Sequence, residues 1–221
     1  MSASPESPEI LLQAPLSAGA VARNVAALLP SIAQGAATAG VAGRIPIPLV
    51  HKLIRSGVFR LQLSPERGGV ALDFDAQLGL LESIASVDAG TAWVAARGGS
   101  AGWILQHFAP DVAADLFPHV DMILSGRLAA AGTGKPVGDA WLIEGRWPAA
   151  ALFDEADMLA LGFVETGDKA GRIRVALVPP GHFQATPTSG LGLRGAALSS
   201  LTPASRNLVV PASHTFVLRP D

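Results

Sequence analysis

Several short patterns in this chain place residue types that could do chemistry at suggestive spacings. Gly98, Ser100 and Gly102 spell G-x-S-x-G, the spacing of a nucleophile elbow, and Asp154 or Asp157 followed by His182 or His214 completes a Ser, Asp, His order for acyl transfer. An elbow needs a strand before it and a helix after it in an alternating chain. Here the surrounding apolar residues repeat at helical spacing and a β-rich half follows, so the pattern reads as a Gly-softened helix. Gly190, Gly192 and Gly195 spell G-x-G-x-x-G, but Pro203 interrupts the helix that should follow and Thr215 stands near where an acid is required, which excludes a dinucleotide fingerprint. The stretch 132–136, G-T-G-K-P, fails as a phosphate loop because Ala129 replaces its first Gly and Pro136 its hydroxyl. The histidines at 51, 107, 119, 182 and 214 have no i, i+4 pairing and no acid at ligand spacing, so no metal site is expected. Trp93 and Trp103 lie about three helical turns apart and read as core residues on one face.

The elements that would position such groups change character midway. Val21, Val25, Leu28, Leu29 and Ile32 recur at helical spacing after Ser17, predicting a helix over 16–39 that stops at Gly40 and Gly43. Pro48 opens a second helix with Leu49, Leu53 and Ile54 inward and Gly57 as its stop. Asp73 caps a third with Phe74, Leu78, Leu81 and Ile84 inward, Asp88 opens a fourth that runs to His107, and Asp111 caps a last turn before Pro118. Beyond that, 122–128, 140–147, 158–165, 172–178, 208–210 and 215–218 are short β-rich runs separated by Gly, Pro or Asp. The fold class is therefore α+β: an N-terminal all-α helical domain, then a small β-sandwich or barrel. The expected divisions are a flexible stretch over 1–15, a helical domain over 16–120 and a β domain over 121–221.

Composition narrows the function classes. With 221 residues, 49% hydrophobic and 15% charged, the chain has ample material for a core. A net charge of -2 with scattered Lys and Arg disfavours nucleic acid, and the absence of Cys excludes thiolate metal sites and suits a cytoplasmic setting. No apolar run was expected to reach the roughly 18 residues of a membrane span. A mean hydropathy of +0.39 argues for an apolar partner surface, as in a homo-oligomer.

Three segments taken together resemble one family. They are the run from Arg44 through R-I-P-I-P-L-V-H-K-L-I-R-S-G-V-F-R-L-Q-L-S-P-E-R-G-G-V to L-L-E-S-I-A-S-V-D-A-G-T-A-W-V; G-R-W-P-A-A-A-L-F-D-E-A-D-M at 145–158; and G-L-R-G-A-A-L-S-S-L-T-P-A-S-R-N-L-V-V-P at 192–211. The order of elements is similar to the acyl-CoA dehydrogenase superfamily, nearest its flavin-dependent monooxygenase branch, truncated before the C-terminal helical bundle that carries the family's catalytic base. The resemblance implies an oxidoreductase using FAD or reduced FMN, a small apolar or aromatic substrate, and a homo-oligomer or a complex with a chain supplying the bundle; the alternative is an inactive homologue that binds an apolar ligand or a protein. It implies flavin contacts at Ala130, Ala131, Gly132, Trp147, Ala150 and Ala151. At Ala130, Ala131, Ala150 and Ala151, and at Ala196 and Ala197 in the third segment, alanine stands where the family carries Ser or Thr, while Leu152 stands where its motif has Gly.

Overall fold

The computed structural model describes residues 16–167, 171–188, 198–205 and 208–218. Helix α1 (Ala18–Ala42) opens where the Ser17 hydroxyl accepts the Ala20 N–H and ends at Gly43, left-handed at φ 72°. Gly40 is carried inside it. Val21, Val25, Ile32 and Ala39 form its buried stripe. By length and composition α1 could cross a membrane, with a mean hydropathy of 1.4 over its best window, which the sequence reading did not expect; alanine contributes much of that figure, and the valine–isoleucine stripe packs in the helical core. Helix α2 (Ile47–Ser56) stops at Gly57, φ 85°, where a side chain would strike Leu16 and Val21. Helices α3 (Phe74–Ala85) and α4 (Ala89–Gly98) are capped by Asp73 and Asp88, whose carboxylates accept the N–H groups of Ala76 and Thr91. Two expectations fail here. Phe74 (74% exposed) and Leu78 face outward while Ile84 is buried, and the helix from Asp88 breaks after Gly98 before resuming as α5 (Ala101–Leu105). The break goes with close packing on the 57–63 segment: a Cβ on Gly98 would lie 2.7 Å from the Phe59 ring and one on Gly102 2.2 Å from the Gln62 backbone. In α6 (Pro110–Leu116) Asp111 stands in the first turn and Ala109 is the cap.

Ten strands follow among the described residues: β1 (Leu124–Arg127), β2 (Gly132–Val137), β3 (Ala140–Gly145), β4 (Trp147–Ala150), β5 (Met158–Glu165), β6 (Ile173–Val178), β7 (Phe183–Pro187), β8 (Ser199–Pro203), β9 (Leu208–Pro211) and β10 (Thr215–Val217). The larger, mixed sheet runs β10-β6-β5-β2-β3-β9 with β1 also on β5, and β4-β8-β7 form a second sheet. β1 pairs in parallel with the first half of β5 and β2 with its end, so β1 and β2 are two pieces of one line interrupted at 128–131. β5 is buried on both faces: Leu159, Leu161 and Phe163 point between the sheets, toward Trp147, Phe183 and Leu201, while Met158 and Ala160 pack on α5 and α6. That double burial explains its unbroken apolar sequence.

The helices dock on the sheet through shared apolar clusters and through ions. Ile123 and Leu152 complete the core around α1, α2 and α4. Arg44 pairs with Asp154 and Glu155 at 3.2 and 2.7 Å, Arg60 donates to Asp121, and the Asp157 carboxylate accepts the Ile123 N–H at 2.7 Å. The acids of the 145–158 segment thus tie down the strand-to-helix seam.

Glu165, 1% exposed, is held by Arg172 and Arg174. Burial pushes its carboxyl up, but the hydrogen bonds and charges of the two arginines together outweigh this and hold it below the usual carboxylate range. Its contribution is therefore present above the unfolded carboxylate value near ~4.3 and is lost as pH falls through the lower folded value. Glu165→Gln should cost about 3 kcal/mol at pH 7, with the gap to wild type closing below about pH 4 in thermal melts. Gly162→Val should lower the melting temperature by roughly 6–12 °C, because a Cβ there would lie 1.9 Å from the Leu128 carbonyl oxygen.

Candidate functional site

The interruption between β1 and β2 builds the most articulated site in the β half. At its end the Ala131 N–H donates to the Gly162 carbonyl at 3.1 Å, the same oxygen that accepts the Trp147 indole Nε1–H at 2.6 Å. Arg146 N–H donates to the Ala131 carbonyl at 3.2 Å. Gly162, with no side chain, lets the 128–131 segment lie directly on β5. The indole of Trp147 lies beneath two further glycines: a Cβ on Gly132 would stand 2.7 Å from the ring, and one on Gly145 3.1 Å. The result is an open groove of ≈ 490 Å³ lined by Ala130, Ala131, Gly132, Thr133, Glu144 and Gly145.

The six positions implied by the family resemblance divide accordingly. Ala130, Ala131 and Gly132 line the groove, and Trp147 forms its floor from within the core. Ala150 and Ala151 are buried, the first between the sheets and the second against Leu198. The backbone around them is unusual: Ala149 and Leu152 sit at φ 61° and 59°, and the β4–β8 register shifts between Trp147 and Ala150. Leu152 stands where the family motif has Gly, and its buried side chain enters the helical core. The Gly192 to Ala197 part of the third segment, and the G-x-G-x-x-G glycines, lie outside the described residues.

The remaining motifs resolve as structural. Gly98, Ser100 and Gly102 sit at the α4–α5 junction, where the Ser100 hydroxyl donates to the Arg97 carbonyl, and Asp154 and Asp157 serve the seam. The 132–136 stretch is strand β2, and no group of three metal-ligating side chains occurs among the described residues. Trp93 and Trp103, read as core, are 40% and 36% exposed; Trp103 packs edge-on against His107, which stacks on Phe216 at 4.5 Å.

Sequence reasoning missed two arginines at this seam. Ser125 and Arg127 alternate to one face of β1, the face that their β5 partners Leu159 and Leu161 turn between the sheets, while Leu124 packs on α5. Ile123 joins the helical core, and the Ser125 hydroxyl donates to the Ala151 carbonyl. Arg97, at the end of α4, donates from Nη2 to the Gly126 carbonyl at 3.0 Å. Burial first, and the nearby Arg127 charge second, lower its pKa from the usual arginine value. Arg127 Nε is buried without a hydrogen-bond partner. A lone charge inside the apolar run M-I-L-S-G-R-L was the available signal.

No family model matches the chain. It is 30% identical over 138 residues to the flavin-dependent monooxygenase, oxygenase subunit HsaA, of Rhodococcus jostii (strain RHA1), a match covering 62% of this chain and 36% of the relative. Among solved structures it superposes on the HsaA monooxygenase from M. tuberculosis with TM-score 0.85 at 23% identity, covering 91% of this chain and 53% of that one. The tertiary complex of TdsC from Paenibacillus sp. A11-2 with FMN and indole matches with TM-score 0.75 at 23% identity, over 88% of this chain and 52% of that one. The chain spans about a third of the curated relative's length and about half that of the solved structures. It has the acyl-CoA dehydrogenase-like fold, in the form shared with flavin-dependent monooxygenases, over a helical part and the β part that follows it.

Proposed function

We propose that this chain is the flavin-holding part of a flavin-dependent monooxygenase that acts on a small aromatic substrate. The observation that carries the reading is the groove over Trp147, built by close backbone approaches at Gly132, Gly145 and Gly162, at the place the family resemblance assigns to flavin. Its volume lies within the range of small-molecule sites. With alanines in place of hydroxyls, Ala130, Ala131 and Gly132 would hold the ring chiefly by shape, the Ala131 N–H being already given to Gly162. Reduced flavin, when bound, would supply the electrons that activate dioxygen for transfer of one oxygen atom to the substrate. The chain's own share is to position: the indole fixes the groove floor, and the Ser125–Ala151 hydrogen bond holds β1 against the β4 bulge. FMN, FAD and a cytoplasmic setting are each compatible with this reading.

Apolar helix surface supports a second part of the proposal. Phe74, Leu78, Trp93 and Trp103 are exposed on α3, α4 and α5, and we assign them to packing against a further helical bundle, in cis or from another chain. A second reading, an inactive apolar-ligand or protein-binding homologue, is favoured by Leu152, whose side chain fills core space where the family motif has Gly.

Titration with oxidised and reduced FMN and FAD, followed by fluorescence and thermal shift, decides between them. Binding in the micromolar range or tighter with a rise in melting temperature is expected, and Ala130→Thr, which restores a hydroxyl at the groove, should tighten it about fivefold. No binding of any flavin up to hundreds of micromolar would leave the second reading.

A further inference from the structure

Two guanidinium groups meet at the α4–β1 seam and the described residues give neither a carboxylate. Arg97 reaches across from α4 to the carbonyl of Gly126, the residue just before Arg127, and lies near enough for the Arg127 charge to add to burial in lowering its pKa. Both are only partly exposed. The ion pairs among the described residues engage Arg44, Arg60, Arg172 and Arg174, and none involves Arg97 or Arg127. Arg127 makes no hydrogen bond among them, and its Nε is sealed from solvent. Half-buried like charges repel, and a buried donor left unmade costs about 1–3 kcal/mol. The C-terminal end of α4 offers Arg97 a favourable dipole, but nothing comparable accounts for Arg127. Among the described residues, Arg44 and Arg60 at the domain seam are neutralised, the first by two acids and the second by Asp121.

The position of this pair matters as much as its charge. Arg127 is the last residue of β1, immediately before the 128–131 segment that borders the groove, and it lies on the same face as Ser125, which is bonded to Ala151. The pair therefore stands at the start of the segment that borders the groove. The Arg127 Nε–H is sealed, so a carboxylate would be received by the terminal Nη groups of the two arginines, and two such groups in a partly desolvated seam bind an anion more strongly than either would in water.

We propose that Arg97 and Arg127 form an anion subsite that takes the carboxylate of a small aromatic ligand whose ring lies toward the groove. This deepens the monooxygenase reading by giving its substrate a charged handle, and it revises the expectation of a purely apolar ligand. Both arginines belong to this chain, and the subsite needs no flavin to be tested.

The test compares naphthalene-2-carboxylate with the neutral, nearly isosteric naphthalene-2-carboxamide by calorimetric titration of the whole chain, with and without FMN. The carboxylate should bind at least tenfold more tightly, with an affinity that falls as chloride is raised. Arg127→Gln and Arg97→Gln should each bring the two ligands to within about twofold of one another. Arg127→Lys, which keeps the charge but loses the fork, should retain part of the preference and guards against misfolding of the Gln variant. The melting temperature of Arg127→Gln should equal or exceed that of wild type, because a repulsive, unsatisfied group is removed; a fall of several degrees would mark Arg127 as structural and overturn the subsite. Equal binding of carboxylate and carboxamide to wild type would also overturn it. So would an arginine-dependent preference for reduced over oxidised FMN with no carboxylate preference, which would assign the guanidiniums to the cofactor. Carboxylate binding with no flavin binding would sink the monooxygenase reading and leave the subsite standing.

Discussion

Gly162 occupies a place in the middle of a fully buried strand where a side chain would normally pack, and the 128–131 segment lies in the space left open. That single close approach sets the rest of the site. Because the segment can rest on β5, the line formed by β1 and β2 can be interrupted without leaving the sheet, and the interruption exposes backbone where an ordinary parallel strand would bury it. The Gly162 carbonyl then serves two donors, one from the segment and one from Trp147, which couples the position of the loop to the orientation of the indole. Gly132 and Gly145 complete the arrangement by letting the groove floor come up against the ring.

Around this centre the molecule separates its polar groups by purpose. The ion pairs of Arg44 and Arg60 are joints between the helices and the sheet, and the Glu165 cluster locks the β5–β6 hairpin beside Trp141, over which Arg174 sits at 4.7 Å. All of these are internally satisfied. Arg97 and Arg127 are the contrast, since neither has a carboxylate partner among the described residues and Arg127 Nε is buried without a hydrogen bond, as expected where an external ligand completes the interaction.

Much of the scaffold was legible in the sequence because its signals are local. Ser17, Asp73 and Asp88 cap as their side chains dictate, Gly43 and Gly57 stop helices in the left-handed conformation, and β5 matches its apolar run. Strand β2 was invisible because G-T-G-K-P-V has the composition of a turn; β3 and β5 impose its extended form by pairing. β7 and β8 were missed for the same reason. The helix break after Gly98 depends on contacts with Phe59 and Gln62 some forty residues away, which no window along the chain reveals. Phe74, Leu78, Trp93 and Trp103 were read as inward because apolar periodicity locates a face without saying what covers it. The groove itself was reached through family resemblance at Ala130, Ala131 and Gly132, whereas the glycines that shape it acquire meaning only in the assembled sheet.

The most direct measurement is amide hydrogen exchange across the chain with and without reduced FMN at saturating concentration. The account predicts protection concentrated at 127–132 and 144–147, with the capped helices unchanged. Unchanged exchange at those segments, with protection confined to other parts of the chain, would show that the groove over Trp147 is not where a flavin is held.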